Sequence, residues 1–386
     1  MGENLKEIGL AVIGCGVIAR FRSEIARDYP GVKWLGLCDL REDFGSKLAD
    51  DASADFFTTD MMELVNRPEV NAVMIVTEEN RHFDPVKAAI DAGIKKLLIE
   101  KPLATEAAES AEILKLIQDN NIDASIGYTV RFNRRFLTVK ERLQRGQIGD
   151  VHSVVTRAFM NRMVPIATVR KTNERHNMSP MVISGTHSLD MSLWFLEGKT
   201  PVSVYAQTLA SVSVYAQSVD KTLAEWGTKD STFGVFTMDD GTIFSMNISW
   251  GLPEVWPGSV YGLEIGIVGS EGVIDIEDTH RDVIMATNNP VGHGYNPDGY
   301  EPGVERHVDF LESYPPGSYL DGQLWGANRD ETLSWFNRIT TGVPGPHAIA
   351  EEGHRNLLLT MAMDLSARTG EVVKLPNDLN DLIDRF

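Results

Sequence analysis

Cysteines are few and long apolar runs are absent in this sequence, and each deficit excludes a class of protein. Cys15 and Cys38 are the only cysteines among 386 residues, which argues against a disulfide framework and predicts a cytoplasmic protein. No run approaches the roughly eighteen apolar residues of a membrane-spanning helix, and Met1–Glu7 lacks the apolar centre of a signal peptide. We therefore expect no membrane partner.

Basic residues are also in deficit, with 36 Lys and Arg against 55 Asp and Glu and a net charge of -19. Such a negative field repels phosphate backbones, so nucleic acid is not an expected partner. The sequence has no phosphate-cradling Gly-Lys-Ser/Thr loop, no paired-histidine zinc helix, no Cys-x-x-Cys and no Gly-x-Ser-x-Gly elbow. We expect no bound metal.

Up to Gly127 the sequence alternates short apolar runs with longer amphipathic ones. The apolar runs predict strands at Ile8–Ile13, Val32–Cys38, Ala72–Val76, Lys96–Ile99 and Ala124–Ile126. The amphipathic runs predict helices at Val17–Asp28, Glu42–Asp51, Phe83–Ala92 and Glu106–Asn120. This alternation predicts an α/β fold whose N-terminal domain, residues 1–127, is a Rossmann domain with a doubly wound parallel sheet.

After Tyr128, strands follow one another instead of alternating with helices. The pattern predicts helices at Arg135–Gly146, Thr186–Leu196 and Ala348–Thr369, a strand at Val151–Phe159, a strand-rich stretch at Val202–Ile276 and a surface excursion at Thr287–Tyr319. Thr232–Met238 and Thr242–Ser249 flank the turn Asp239–Gly241, as in a hairpin. We predict a C-terminal α/β domain, residues 128–386, with a large open, mainly antiparallel sheet.

A glycine-rich turn joins the first predicted strand to the first helix. It reads Gly14-Cys15-Gly16-Val17-Ile18-Ala19; the first glycine permits a tight turn, the second admits a pyrophosphate and Ala19 allows close packing. Asp39 lies twenty residues beyond Ala19, where a carboxylate can accept hydrogen bonds from the ribose of NAD. Arg41 can pair with a 2′-phosphate, which leaves NADP open. The alternative is a glycine turn that binds nothing.

The run Glu100-Lys101-Pro102 follows the predicted strand Lys96–Ile99, so it lies at the carboxyl end of the sheet, where doubly wound folds bind ligands. An amine beside a positively charged nicotinamide loses proton affinity, which suits Lys101 to general-base catalysis. The alternative is a lysine that only binds the nicotinamide ribose or pairs with Glu100.

His187 is the second candidate for acid/base chemistry. It lies in the run Ser184-Gly185-Thr186-His187-Ser188-Leu189-Asp190 and can protonate or hydrogen-bond a reacting oxygen. Helical spacing puts Asp190 and Trp194 on the same face as His187. The alternative is a partly buried histidine whose partner is Asp190.

The sequence resembles the Gfo/Idh/MocA family of oxidoreductases in the order of its motifs. These are the glycine turn, Thr77, Glu100-Lys101-Pro102 and His187. The resemblance implies hydride transfer between NAD or NADP and a secondary alcohol or ketone of a sugar, cyclitol or cyclic diol, with Lys101 and His187 as the acid/base pair. It implies a cis Lys101–Pro102 peptide and cofactor contacts from Thr77, Glu100 and Lys101. It also implies that the C-terminal domain binds substrate and forms homodimers or homotetramers through its sheet.

Substrate contacts are expected from Tyr128 and Arg131, which border the cleft after the last Rossmann strand, and from Asn161 and Asp190; the alternative for Tyr128 is a packing role between the domains. Oxidising members of the family commonly carry an Asp four residues before the histidine, where this chain has Ile183. Either Asp190 or a residue of the stretch 161–176 replaces that carboxylate, or the chemistry differs.

Two further features leave alternatives open. A basic cluster either selects an anionic substrate such as a uronate or forms a solvated or subunit-contacting loop; it comprises Arg157, Arg162, Arg170, Lys171 and Arg175. The glycine turn, Lys101 and His187 are also compatible with two other functions. One is an enzyme that retains NAD to drive elimination, as some glycosidases do, and the other is a non-enzymatic regulator that senses the cofactor.

Overall fold

The computed structural model describes residues 6–161, 179–209, 229–252, 262–277, 284–290, 307–310 and 317–386. They fall into two compact units, one within Met1–Phe132 and Pro316–Leu357 and the other within Asn133–Pro315 and Leu358–Phe386. The first unit takes in a C-terminal stretch because Ala327–Thr341, a helix, packs on the helix Val17–Asp28. The functional division into residues 1–127 for the cofactor and 128–386 for the substrate stays a prediction.

The first unit is built on a six-stranded parallel sheet. Its strands are β1 (Ile8–Ile13), β2 (Val32–Cys38), β3 (Phe56–Thr58), β4 (Ala72–Ile75), β5 (Lys96–Glu100) and β6 (Asp123–Gly127). Their order is β3-β2-β1-β4-β5-β6, and every residue of the central strand β1 is buried. This is the order of a Rossmann sheet, so the predicted fold is confirmed.

Helices connect these strands. They are α1 (Val17–Asp28), α2 (Glu42–Asp51), α3 (Met61–Val65), α4 (Phe83–Asp91) and α5 (Ala107–Asp119), and a 3-10 turn, Thr129–Phe132, follows β6. The sequence patterns missed β3 and α3, which are too short to show a period. They also missed Ala327–Thr341, because the buried face of that helix includes the polar residues Asn328, Glu331 and Thr332.

The second unit is built on a seven-stranded sheet. Its strands are β7 (Val151–Asn161), β8 (Pro201–Leu209), β9 (Ser231–Met238), β10 (Ile243–Leu252), β11 (Gly262–Gly269), β12 (Val273–Glu277) and β17 (Val373–Lys374). Their order is β12-β11-β7-β10-β9-β8-β17, and only the β7–β10 pair is parallel. The predicted mainly antiparallel sheet is confirmed.

The remaining elements complete the two units. The helices are α6 (Arg134–Gln144), a π-helical turn at Met181–Gly185, α7 (Thr186–Phe195), α8 (Ala327–Thr341), α9 (Ala350–Thr369) and a 3-10 segment at Leu379–Arg385. Two short ladders pair β13 (Ile284–Ala286) with β14 (Val308–Phe310) and β15 (Ser318–Leu320) with β16 (Gln323–Trp325). Most of the predicted excursion Thr287–Tyr319 lies outside the described residues. No helix in the described part of the chain is long and apolar enough to cross a membrane.

Candidate active site

The glycine turn after β1 needs glycine at its first position. Gly14 has a φ of 94°, in the left-handed region, and its amide donates to the Cys38 carbonyl oxygen at 2.8 Å. A Cβ atom on Gly14 would lie 2.6 Å from the Val76 carbonyl oxygen. A side chain is therefore excluded both by the backbone conformation and by the neighbouring strand.

Gly16 meets different surroundings, because a Cβ atom there would have no neighbour within 4 Å. As the N-cap of α1, Gly16 has no side chain to bond the first amides of the helix, which therefore suit an anion. Val17 is 40% exposed and Ile18 half-buried in this first turn, whereas Ala19 is fully buried. This arrangement fits the pyrophosphate of a dinucleotide.

The Asp39 carboxylate lies beside this turn. It accepts hydrogen bonds from the Cys15 amide at 2.9 Å, the Arg41 amide at 2.9 Å and Arg41 Nε at 3.2 Å. Burial opposes ionisation, but the hydrogen bonds from Arg41 and Cys15 outweigh it and lower the pKa of Asp39. Asp39 is therefore ionised at neutral pH, the form that accepts hydrogen bonds from ribose hydroxyls. The Arg41 side chain is 56% exposed.

The two cysteines do not supply a nucleophile. Both are buried and neither forms a disulfide. Burial, followed by the charge of Asp39, raises the pKa of the Cys15 thiol to about 12 and that of the Cys38 thiol to about 11. Both thiols therefore stay protonated near neutral pH.

Lys101 follows β5 directly, and its peptide bond to Pro102 is cis, as the resemblance implies. Lys101 is half-buried, whereas Pro102, Leu103 and Ala104 are buried. Strands β1, β4 and β5 are parallel neighbours, so their carboxyl ends lie at one edge of the sheet. Lys101 and the glycine turn share that edge, where doubly wound sheets bind ligands.

Glu100, predicted to contact the cofactor, is bound by Arg22 of α1. Arg22 Nη2 and Nε lie 2.5 and 3.0 Å from Glu100 Oε1, and Nη2 also lies 2.7 Å from Glu331 Oε2 in α8. The Arg22 and Glu331 side chains are fully buried. No sequence motif indicated this cluster, because its members come from three distant segments. A cofactor contact of Glu100 stays a prediction.

The loop after β4 is held at both of its ends. The Thr77 hydroxyl donates to the Arg81 carbonyl at 2.9 Å. His82 is 1% exposed, and its Nδ1 lies 2.9 Å from the Pro102 carbonyl oxygen. Burial lowers the pKa of His82, so the ring is neutral; its proton belongs on Nδ1, because a carbonyl oxygen only accepts. A cofactor contact of Thr77 stays a prediction.

Tyr128 and Arg131, both predicted to contact substrate, are buried, at 1% and 2% exposure. Arg131 Nη2 lies 3.0 Å from Glu352 Oε1 in the same unit. Burial of Glu352 opposes its ionisation, but the charge and hydrogen bond of Arg131, together with the Ile349 amide, outweigh burial and lower the pKa of Glu352. This ion pair gives Arg131 a structural role, and substrate contacts of Tyr128 and Arg131 stay predictions.

His187 lies in the first turn of α7, directly after the π-helical turn of the second unit. Across the fully described stretch 181–193, His187 alone is half-exposed and every other residue is buried. Trp250 Nε1 donates to Ser184 Oγ at 2.9 Å, which fixes the π-helical turn on β10. The fold thus buries the segment around His187 and leaves His187 itself half-buried, with its Nδ1 atom buried.

Asp190, predicted to contact substrate, and Ile183, which stands where the family commonly has an Asp, are both buried. Ile183 and Asp190 are 5% and 1% exposed. Asn161 ends β7, but its side chain lies outside the described part of the structure, as do four residues of the basic cluster, Arg162, Arg170, Lys171 and Arg175. The fifth, Arg157, lies 3.4 Å from Glu264 on the neighbouring strand. Within the described ranges, no group of three His, Cys, Asp or Glu side chains is arranged to hold a metal.

Comparison with protein families matches both parts of the chain. Residues 8–128 match the oxidoreductase family with an NAD-binding Rossmann fold, and residues 136–275 match the Gfo/Idh/MocA C-terminal domain. The resemblance inferred from the motifs, the Rossmann domain and NAD as cofactor are confirmed.

Curated relatives and solved structures point the same way. The chain is 31% identical over 198 residues to an inositol 2-dehydrogenase of Gluconacetobacter diazotrophicus, a match that covers 50% of this chain and just over half, 55%, of that protein. It is 23% identical over 374 residues to the myo-inositol 2-dehydrogenase of Thermotoga maritima, covering 95% and 98%. The structure of myo-inositol 2-dehydrogenase from Lactobacillus plantarum shares the fold, with a TM-score of 0.76, 20% identity and coverage of 96% and 99%.

Proposed function

This chain belongs to the Gfo/Idh/MocA family of NAD-binding oxidoreductases, and we propose that it oxidises a secondary alcohol of an uncharged cyclic polyol. Lys101 is the general base and His187 binds the reacting oxygen. The observation that supports this most is that Lys101 follows β5 at the sheet edge that also carries the glycine turn and Asp39.

The first unit supplies the cofactor side of this reaction. Gly14 and Gly16 admit the pyrophosphate, and the ionised Asp39 accepts hydrogen bonds from the adenosine ribose. Bound NAD would supply the acceptor for the hydride that leaves the alcohol carbon. Lys101 takes the hydroxyl proton as that hydride leaves, so the alcohol becomes a ketone.

His187 supplies the substrate side from the second unit. His187 is half-buried in the first turn of α7, where its imidazole can hydrogen-bond the alcohol oxygen while the buried residues around it keep its backbone in place. Ile183 has no polar atom in its side chain, and Asp190 is buried. We therefore propose that Lys101 and His187 work without a carboxylate from either of these positions.

Two observations favour an uncharged substrate. The relatives in Gluconacetobacter diazotrophicus and Thermotoga maritima are named inositol dehydrogenases, and a related Lactobacillus casei structure contains NAD(H) and scyllo-inositol. Arg157, the described member of the basic cluster, already faces the acidic side chain of Glu264. We propose inositols as the first substrates to test, followed by neutral sugars and cyclic diols.

We further propose that the chain forms homodimers or homotetramers through the open face of the sheet in the second unit. Tyr205, Val235, Ser245 and Val155 lie in one row across this face, and the three apolar members, Tyr205, Val235 and Val155, are 42%, 41% and 54% exposed. The opposite face buries Phe236 and Phe244 completely. Exposed apolar side chains that gather on one face of a sheet are a feature of interfaces. Light scattering on the wild type and Val235→Glu tests this: a wild-type oligomer that the variant dissociates supports it, and a wild-type monomer opposes it.

The activity test is NADH formation by the purified protein with inositols, neutral aldoses, uronates and cyclic diols. NADH formed in proportion to the oxidised neutral polyol would support the proposal and rule out redox-neutral elimination. Activity confined to uronates would overturn the choice of an uncharged substrate. Tight NAD binding without turnover of any compound would favour a cofactor-sensing regulator. His187→Ala should lower kcat/KM by about 10²-fold while NAD binding is retained.

A further inference from the structure

We propose that His82 and Arg22 are positioning residues for Lys101, which they hold through the residues on its two sides. The proposal rests on the proposed function, in which Lys101 is the general base. Each contact joins the Lys101 segment to a different part of the same compact unit.

His82 acts on the residue after Lys101. It lies at the start of α4, and its Nδ1 donates to the Pro102 carbonyl oxygen at 2.9 Å. The ring is 1% exposed, so water does not compete for this hydrogen bond. The Thr77–Arg81 hydrogen bond at 2.9 Å closes the loop that precedes His82 and so limits how far the ring can move.

Arg22 acts on the residue before Lys101. Its guanidinium binds Glu100 through two nitrogens and is itself fixed by Glu331 at 2.7 Å and by the Thr332 hydroxyl at 2.9 Å. Charge-assisted contacts of this kind hold a side chain more rigidly than neutral ones. The backbone of Glu100 is also paired with Gly127 in the sheet.

Lysine has a long, flexible side chain, so its amine is placed accurately only when its backbone is fixed. With the Glu100 carboxylate and the Pro102 carbonyl both held, the backbone of Lys101 has little freedom to shift. A displacement of a catalytic group by about 1 Å can lower turnover by about 10²-fold. We therefore expect His82 variants to affect kcat much more than NAD affinity.

Two matched variants of His82 test the hydrogen bond itself. The amide nitrogen of Asn is bonded to Cγ, as Nδ1 of histidine is, so His82→Asn can still donate to Pro102. The amide of Gln lies one carbon further out, near the position of Nε2, so His82→Gln loses that donor. We expect His82→Asn to keep kcat within about threefold and His82→Gln to lose about 30- to 100-fold, with NAD dissociation constants within about threefold for both.

The deuterium isotope effect on kcat and thermal unfolding complete the test. A poorly placed base slows the chemical step, so the isotope effect should rise in His82→Gln, which a loss of stability alone would not produce. Equal kcat values for the two variants would overturn the proposal for His82. If His82→Gln does not fold, Arg22→Lys carries the same test, since it keeps the charge and loses the two-nitrogen contact. Turnover by Lys101→Met would overturn the proposed function, whereas an inactive Lys101→Met beside a fully active His82→Gln would overturn this inference alone.

Discussion

The cofactor side of the first unit and the His187 segment of the second unit are held in different ways. Around the glycine turn, Gly14 and Asp39 are fixed by hydrogen bonds between the turn and the end of β2, and the turn itself is one short run of sequence. His187 instead depends on a helix that is anchored to the sheet through Ser184 and Trp250, which are far apart in sequence. Cofactor recognition is thus encoded locally, whereas the substrate side is assembled by the fold.

The largest effect is expected from Arg22→Met. This variant tests whether the long-range contacts of Arg22 stabilise the first unit. It leaves Glu100 and Glu331 without their cation and should lower the free energy of unfolding by about 3–5 kcal/mol. Burial already raises the pKa of Glu331 against the charge of Arg22. A carboxyl group whose pKa is raised by folding destabilises the protein as pH rises. The loss of unfolding free energy in Arg22→Met should therefore be larger at pH 8 than at pH 5. Urea unfolding at both pH values measures it, and a deficit under about 1 kcal/mol at both would contradict the account.

Gly14→Ala and Gly16→Ala separate folding from binding within the local motif. The methyl group on Gly14 meets the Val76 carbonyl in a left-handed backbone, which should cost about 2–4 kcal/mol of stability. Gly16→Ala should melt like the wild type but bind NAD about tenfold more weakly, because its methyl group occupies space that the pyrophosphate needs. Thermal unfolding and NAD titration measure both effects. Equal stability of the two variants would be inconsistent with this difference.

A smaller, pH-dependent effect is expected in the second unit at Asp364. The Ser179 hydroxyl donates to Asp364 and accepts from the Val182 amide at 3.2 Å, at the start of the segment that carries His187. Burial raises the pKa of Asp364 to about 7, against the effects of Ser179 and Arg368. Because the folded pKa exceeds the unfolded one, the wild type should lose stability between about pH 4 and pH 7.

Asp364→Asn keeps an acceptor for Ser179 and cannot ionise. It should therefore be more stable than the wild type at pH 8, by about 1–2 kcal/mol, and similar at low pH. Chemical unfolding across this pH range is the measurement. Parallel stability curves for the two proteins would show that Asp364 does not titrate in this range.

The smallest effect is expected from Arg41→Ala at the edge of the cofactor side. Arg41 occupies Asp39 through an exposed ion pair, so its removal should tighten NAD binding by about two- to threefold and weaken NADP binding. Because the pKa of Asp39 is lowered in the folded protein, the preference of the wild type for NAD over NADP should not change between pH 5 and pH 8. Titration with both cofactors measures it, with Asp39→Asn as the control that removes the preference. Tighter NADP binding by Arg41→Ala would contradict this role.

The same contrast explains what could be predicted from sequence. Alternating strands and helices, together with the run from Gly14 to Ala19, were enough for the Rossmann domain and its cofactor, because these signals depend on neighbouring residues. The hydrogen bond from His82 to Pro102 was missed, since no local pattern links a buried histidine to a later carbonyl. Arg131 was predicted to bind substrate, but a single sequence does not show that Glu352 lies beside it.

The role of Lys101 as the base can be tested most directly by chemical rescue. Lys101→Ala should form NADH at least about 10³-fold more slowly than the wild type, with NAD affinity within about threefold. Added primary amines should restore part of that rate in proportion to their concentration, because a free amine can take the proton that Lys101 takes. Wild-type turnover by Lys101→Ala in the absence of amine would contradict the proposed mechanism.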